Sequence, residues 1–173
     1  MVGISRCRDS TLEQVYDGRH RAGIVEPISG ITAATIQEWR EKIMLSSHTL
    51  KTGKEGCYDI TSAVRDAIRK SGTVAGLCIV YCPHTTAGVT INENADPDVV
   101  KDLLYGLDKA FPDRTEFRHA EGNSAAHLKT SCIGSSVTII VENGSPILGT
   151  WQGVYFCEFD GPRERKYHIK VIG

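Results

Sequence analysis

The stretch Tyr81–Pro97 reads YCPHTTAGVTINENADP, and it joins an apolar strand on one side to a helix start on the other. Upstream, VAGLCIVYC (residues 74–82) places Leu77, Ile79 and Tyr81 on one face and Cys78, Val80 and Cys82 on the other. A run apolar on both faces predicts a central strand, covered on both sides. Downstream, Asp96 reads as an N-cap with Pro97 at the first helical position. Val99, Val100, Leu103, Leu104 and Leu107 then supply a buried helical face as far as Phe111-Pro112. Between the two elements lie an imidazole, threonine hydroxyls, amides and carboxylates. Buried polar groups are costly unless paired, so so dense a cluster points to a site.

Working outward, MLSSHTLKT (residues 44–52) alternates as a first strand, and Gly53 and Gly56 mark a turn toward CYDI. Thr61 reads as the N-cap of a helix whose stripe is Ile60, Val64 and Ile68, stopped by Gly72. Arg114 to Ser124 is polar and reads as a loop. After it the chain reads as strands: LKTSCI, SVTIIVE, a turn at Asn143-Gly144, a run from Ile147 to Phe159, a turn at Asp160-Gly161-Pro162, and RKYHIKVI. Two main helices in mid-chain and strands continuing to the end predict an α+β fold with a largely antiparallel sheet. No βαβ alternation and no glycine-rich phosphate loop supports a nucleotide-binding fold. Residues 1–42 lack a clear period up to Gly30. They read as an extension ending in a docking helix over AATIQEWREKIM, or as foreign residues ahead of the domain, which is expected over 43–173.

The chain has 173 residues, 40% apolar and 24% charged, a soluble-globular composition. A formal net charge of -1 gives no global pull toward nucleic acid or an anionic membrane. No apolar run reaches membrane-span length, and the N-terminus has no signal-peptide segment. Six scattered cysteines with no C-x-x-C pair argue against a disulfide framework or a zinc ribbon. The expectation is a reduced, cytoplasmic protein with no nucleic-acid or membrane partner.

Three clusters carry candidate chemistry. In the first, His84 follows Pro83 where the strand ends. It suits a general base, a proton donor or a metal ligand, or else it closes a turn against backbone. Thr85 and Thr86 offer hydroxyl donors to a phosphate or oxyanion. With strand period, Asn92, Asn94 and Asp96 face one way and Ile91, Glu93 and Ala95 the other. Asn92 and Glu93 are candidate oxygen ligands for Mg²⁺, and Asn94 and Asp96 are equally explained by turns and helix capping.

In the second, GNSAAHLKTS, His127 and Lys129 share a face if LKTSCI is a strand, and an imidazole beside an ammonium suits a phosphate. His119 is a weaker third imidazole, and three irregularly spaced histidines are a weak zinc signal. In the third, Gly149 and Gly153 flank Thr150-Trp151-Gln152, where a strand glycine marks a bulge or a close approach. Trp151 reads as a stacking wall or as core. Glu158 and Asp160 project to one face with Arg163 and Arg165 beyond the turn, where the arginines suit bidentate phosphate binding or an Asp–Arg surface network.

Together, CPHTTAGVTINENADPDVVKDLL, NSAAHLKTSCIGSSVTIIVENG and LGTWQGVYFCEFDGPRERK resemble the YjbQ family over roughly residues 43–173. The resemblance implies an α+β fold with a β-sandwich or barrel-like body, and a homotrimer with sites near the subunit boundaries. It also implies a secondary thiamine-phosphate synthase activity, which joins hydroxymethylpyrimidine diphosphate to thiazole phosphate and releases pyrophosphate. On that reading His84, His127 and Lys129 are catalytic, and Thr85, Thr86, Asn92, Trp151 and Gln152 bind a phosphorylated small-molecule substrate. Glu93 and Asn92 hold a divalent metal, Mg²⁺. The alternatives are a metal-dependent hydrolase using Zn²⁺ and a non-enzymatic small-molecule-binding trimer.

Overall fold

The computed structural model describes residues 43–173; the expected N-terminal extension and its docking helix lie outside the described residues, save Ile43 and Met44, which open a strand instead. Two antiparallel sheets form the body. The larger contains β1 (Ile43–Lys51), β3 (Gly76–Tyr81), β5 (Ser136–Glu142), β6 (Ser145–Pro146) and β8 (Glu164–Ile172), in the order β1-β8-β3-β5-β6. The smaller has β7 (Gln152–Glu158) between β2 (Gly56–Asp59) and β4 (Ala87–Glu93). The expected α+β fold with a largely antiparallel sheet is what the chain adopts.

Side-chain alternation builds the first core between the sheets. Cys78 and Val80 of β3, Ile139 and Val141 of β5, and Tyr167, Ile169 and Val171 of β8 meet Ala87 and Val89 of β4 and Val154 and Phe156 of β7. Helix α1 (Thr61–Ser71) adds Val64, Ala67 and Ile68 to that core. Gly72 stops it at φ 68°, a left-handed cap that glycine adopts without a Cβ penalty. Thr61 is the first helical residue here, not the cap. Asp59 Oδ1 accepts from its N–H and its hydroxyl, and Thr61 Oγ1 accepts from Val154 N, stitching the helix start to β7.

The other face of β7 makes a second core. Tyr155, Cys157 and Phe159 pack with Ala126 and with partly buried Val100, Leu104, Leu107 and Ile133 from two further helices. These are α2 (Pro97–Ala110) and α3 (Ser124–Ile133). Asp96 caps α2 as expected, its Oδ1 accepting from Asp98 N at 2.9 Å. The strand covered on both faces is therefore β7. β3 is central in its sheet, but only one face is covered, and Leu77 and Tyr81 are exposed at 43% and 45%.

The main correction concerns Ser124–Ile133, a third helix where LKTSCI was expected as a strand. Ala125, Ala126, Lys129 and Thr130 are its buried residues, a helical spacing that the short strand reading cut in two. Its end is seated on β4, where Gly134 O accepts from Val89 N at 3.0 Å. A Cβ on Gly88 would lie 2.6 Å from that same carbonyl oxygen. Gly88→Ala is therefore expected to displace the end of α3, with a stability loss of about 1–3 kcal/mol in urea unfolding.

Candidate functional site

The connection between β3 and β4 forms one wall of a cavity of about 360 Å³. Pro83, His84, Thr85 and Thr86 line that wall. His119, Glu121, Asn123 and His127 come from the α2–α3 connection and α3, and Asp160, Arg163 and Arg165 from the β7–β8 turn and β8. Three chain segments far apart in sequence thus converge at one end of the sandwich.

Arg165, which lines the cavity, is held in a buried ion pair with Glu158, whereas Asp160 and Arg163 form the more exposed Asp–Arg contact expected from sequence. Glu158 is 0% and Arg165 5% exposed. Arg165 Nε and Nη2 donate to the two carboxylate oxygens, each at 2.6 Å, and Nη2 also donates to Thr86 Oγ1 at 2.8 Å. Glu158 further accepts from the Thr52 hydroxyl and from the backbone N–H groups of Phe159 and Asp160. Burial alone would raise the Glu158 carboxyl, but the guanidinium and these donors outweigh it and hold it below the usual range. At the rim, Arg163 donates to Asp160 Oδ2 at 2.7 Å. Both arginines are thus balanced by a carboxylate, and the cavity holds directional donors more than net charge.

His84 has a definite tautomer. Its Nε2 accepts from Lys166 N at 2.9 Å, so that nitrogen is unprotonated and Nδ1 carries the hydrogen. Burial, then the nearby Arg165 charge, pushes its pKa below 6.5. The unfolded chain takes up this proton first, so acidification favours unfolding. His84's share of stability is complete above about pH 6.5 and is lost as pH falls toward its depressed folded pKa. Between pH 7.5 and 5.5, wild type should lose more stability in urea titrations than His84→Asn. An equal loss in both proteins would contradict this linkage.

His127 is half-buried and meets His119 edge to face, ring centroids 5.2 Å apart. His119, weakly weighted from sequence, thus stands in the site beside His127. Lys129 does not. Two helical positions are about 200° apart, so Lys129 points away from His127, correcting the shared face. It is 3% exposed and bonds both Glu55 oxygens at 3.2 Å and Asp108. It lines a separate cavity of about 410 Å³ bounded by Lys54, Glu55 and Asp108. The two cavities meet at the Asn123–Asp160 hydrogen bond, 3.0 Å long.

The remaining candidates lie at the far end of β4, six strand residues or about 20 Å from Ala87. There Asn92 Oδ1 accepts from Glu93 N, and Asn92 and Glu93 pair in register with Gly153 and Gln152. Asn94 is structural: it donates to Asp59 Oδ2 and accepts from the Tyr155 hydroxyl, and its side chain is what approaches Gly153. Gln152 Oε1 accepts from Gly149 N. Trp151 is 64% exposed, not core. Among the described residues no group of three or more His, Cys, Asp or Glu side chains lies close enough together to hold a metal ion, and Asn92 and Glu93 are not joined by further such ligands. Also among them, no helix is long and apolar enough to cross a membrane.

Comparison with known proteins agrees with this architecture. The family described as UPF0047 protein YjbQ-like matches residues 46–173. The Bacillus subtilis UPF0047 protein YugU is 54% identical over 132 residues, covering 75% of this chain and 100% of that protein. A UPF0047 protein of Methanocaldococcus jannaschii is 50% identical, covering 75% and 95%. The crystal structure of a Clostridium acetobutylicum protein of the YjbQ/UPF0047 family, described as uncharacterized, is 55% identical. It superposes with a TM-score of 0.72 and covers 73% of this chain and 99% of that one. A YbjQ-like protein of unknown function from Sulfolobus solfataricus is 27% identical, with a TM-score of 0.73, covering 76% and 97%.

Proposed function

This chain belongs to the YjbQ family, and from that premise we propose that it is a transferase of small phosphorylated metabolites, joining hydroxymethylpyrimidine diphosphate to thiazole phosphate. The observation that carries the reading is the convergence of Thr85, Thr86, His84, His119, His127, Arg163 and Arg165 on one cavity. In the reaction the carbon–oxygen bond to the diphosphate breaks as the thiazole nitrogen forms the new carbon–nitrogen bond. Negative charge therefore gathers on the departing diphosphate. Preorganised donors aimed at developing charge are the main source of catalysis for such a step. The Thr85 hydroxyl, the His84 Nδ1–H and the arginines supply them, and His127 protonates the leaving oxygen.

Full-length protein incubated with the two halves is expected to form thiamine phosphate and inorganic diphosphate in equal amounts. Binding of inorganic diphosphate without product would overturn the transferase reading in favour of a binding module. The homotrimer belongs to the same proposal. Trp151 stands exposed, and Leu45, Leu77, Ile140 and Ile172 stand exposed on the larger sheet, surfaces suited to contact between copies. A reducing, cytoplasmic setting is in keeping with the free thiols of Cys57, Cys78, Cys82, Cys132 and Cys157.

A further inference from the structure

A second hollow opens beside the polar cavity, of about 430 Å³, lined by Phe117, His119, Ser124, His127, Leu128 and Ser131. His119 and His127 line both. On one side of this histidine pair lie arginine and threonine donors; on the other lie an aromatic ring and a leucine. Leu128 is 39% exposed, on the turn of α3 that carries His127, and neither it nor Phe117 belongs to either core. A ligand reaching across the histidines has a phosphate on one side and an apolar group on the other. We propose that Phe117 and Leu128 are specificity-determining residues that form the wall for a flat, aromatic ring carried by the phosphorylated substrate. The occupant follows from continuity with the phosphate cavity, and the inference rests on the phosphate-binding reading of that cavity. Such walls discriminate through buried apolar area and ring contacts, so they act on the ring and leave the phosphate to the arginines.

The test is calorimetric titration of the full chain with methyl phosphate, phenyl phosphate and inorganic phosphate. Phenyl phosphate is expected to bind roughly tenfold more tightly than methyl phosphate. In the Phe117→Ala/Leu128→Ala variant the two should bind alike. Inorganic phosphate failing to bind wild type would remove the phosphate reading and this inference with it. If phosphate binds but wild type shows no preference for the ring, the wall alone is overturned. A changed sedimentation coefficient in the double variant would make the hollow a contact between copies, and would also overturn it.

An independent observation concerns Cys57 and Cys157. They are direct cross-strand partners in the β2–β7 register, with Sγ atoms 3.3 Å apart. Cys157 is fully buried and Cys57 half-buried. The adjacent Cys157 thiol holds the Cys57 pKa below the usual thiol range, while the Cys57 thiol and then burial push Cys157 up. We infer that this pair is a peroxide-oxidised disulfide site. Hydrogen peroxide oxidises the Cys57 thiolate to a sulfenic acid, releasing hydroxide. Cys157 Sγ then attacks Cys57 Sγ, the sulfur–oxygen bond breaks, and water leaves with the Cys157 proton. The product ties edge strand β2 covalently to β7. After peroxide treatment and alkylation under denaturing conditions, peptide mapping should recover a Cys57–Cys157 linked peptide, absent in Cys157→Ser. Recovery of Cys57 as sulfinic acid in wild type, or of both residues alkylated, would overturn it.

Discussion

Glu158→Ala is expected to lower the free energy of urea unfolding by about 3–5 kcal/mol, the range for breaking one partner of a buried ion pair. The reason is what the substitution leaves behind. Arg165 is 5% exposed, and its Nε and one Nη2 bond would lose their acceptor in a site that water scarcely reaches. The Thr52 hydroxyl and the N–H groups of Phe159 and Asp160 would lose theirs as well. Removing both charges is a different experiment, because a pair replaced by apolar groups of similar size is often neutral or stabilising. Glu158→Leu/Arg165→Met should therefore recover much of the stability lost in the single variant. The double variant should still fail to bind inorganic diphosphate, since the guanidinium is gone from the cavity. A loss below about 1 kcal/mol in Glu158→Ala would mean that water reaches the pair, as at exposed bridges.

This pair also marks how far the fold could be read from the chain. In β8, Arg165 has the same parity as Tyr167, Ile169 and Val171, and all four are buried. In β7, Glu158 has the parity of Val154 and Phe156. Strand alternation therefore aims both charges at the core, although glutamate and arginine are residue types that mostly stand at the surface. The helix starts and stops were legible because their chemistry is local: Asp96-Pro97 opens α2 and Gly72 closes α1. The turn at Asn143-Gly144, with φ of 52° and 71°, is another such local feature.

α3 was hidden because its pattern is weak. Leu128, Ser131 and Cys132 face outward and His127 is half-buried beside an Ala-Ala stretch, so no strong apolar stripe announces the period. That one element decides the site. As a strand it would pair His127 with Lys129; as a helix it sends His127 to the arginine cavity and Lys129 to Glu55 and Asp108. The polar cluster Tyr81–Pro97 divides for a similar reason. A strand of seven residues separates its two ends, so His84, Thr85 and Thr86 reach one cavity while Asn92 and Glu93 stand at the other end of the sheet. Proximity along the chain is not proximity in a β-strand.

The histidines then separate by what each nitrogen already does. His127→Ala is expected to lower kcat for thiamine phosphate formation by at least about 100-fold, the lower bound for loss of a proton-transfer group. The effect should fall on kcat more than on KM, because a proton delivered to the leaving oxygen matters in the transition state and little in ground-state binding. His84 differs. Its Nε2 is occupied by Lys166 N–H, so it reaches a ligand as an Nδ1–H donor to the developing charge, and His84→Asn, which can still donate, should lower kcat less than His127→Ala does. Lys129→Met should act mainly on stability, since its ammonium is committed to Glu55 and Asp108 at the junction of three segments. Equal kcat losses in the His84 and His127 variants would contradict this division of roles. Full activity in His127→Ala would remove the proton-transfer step assigned to α3.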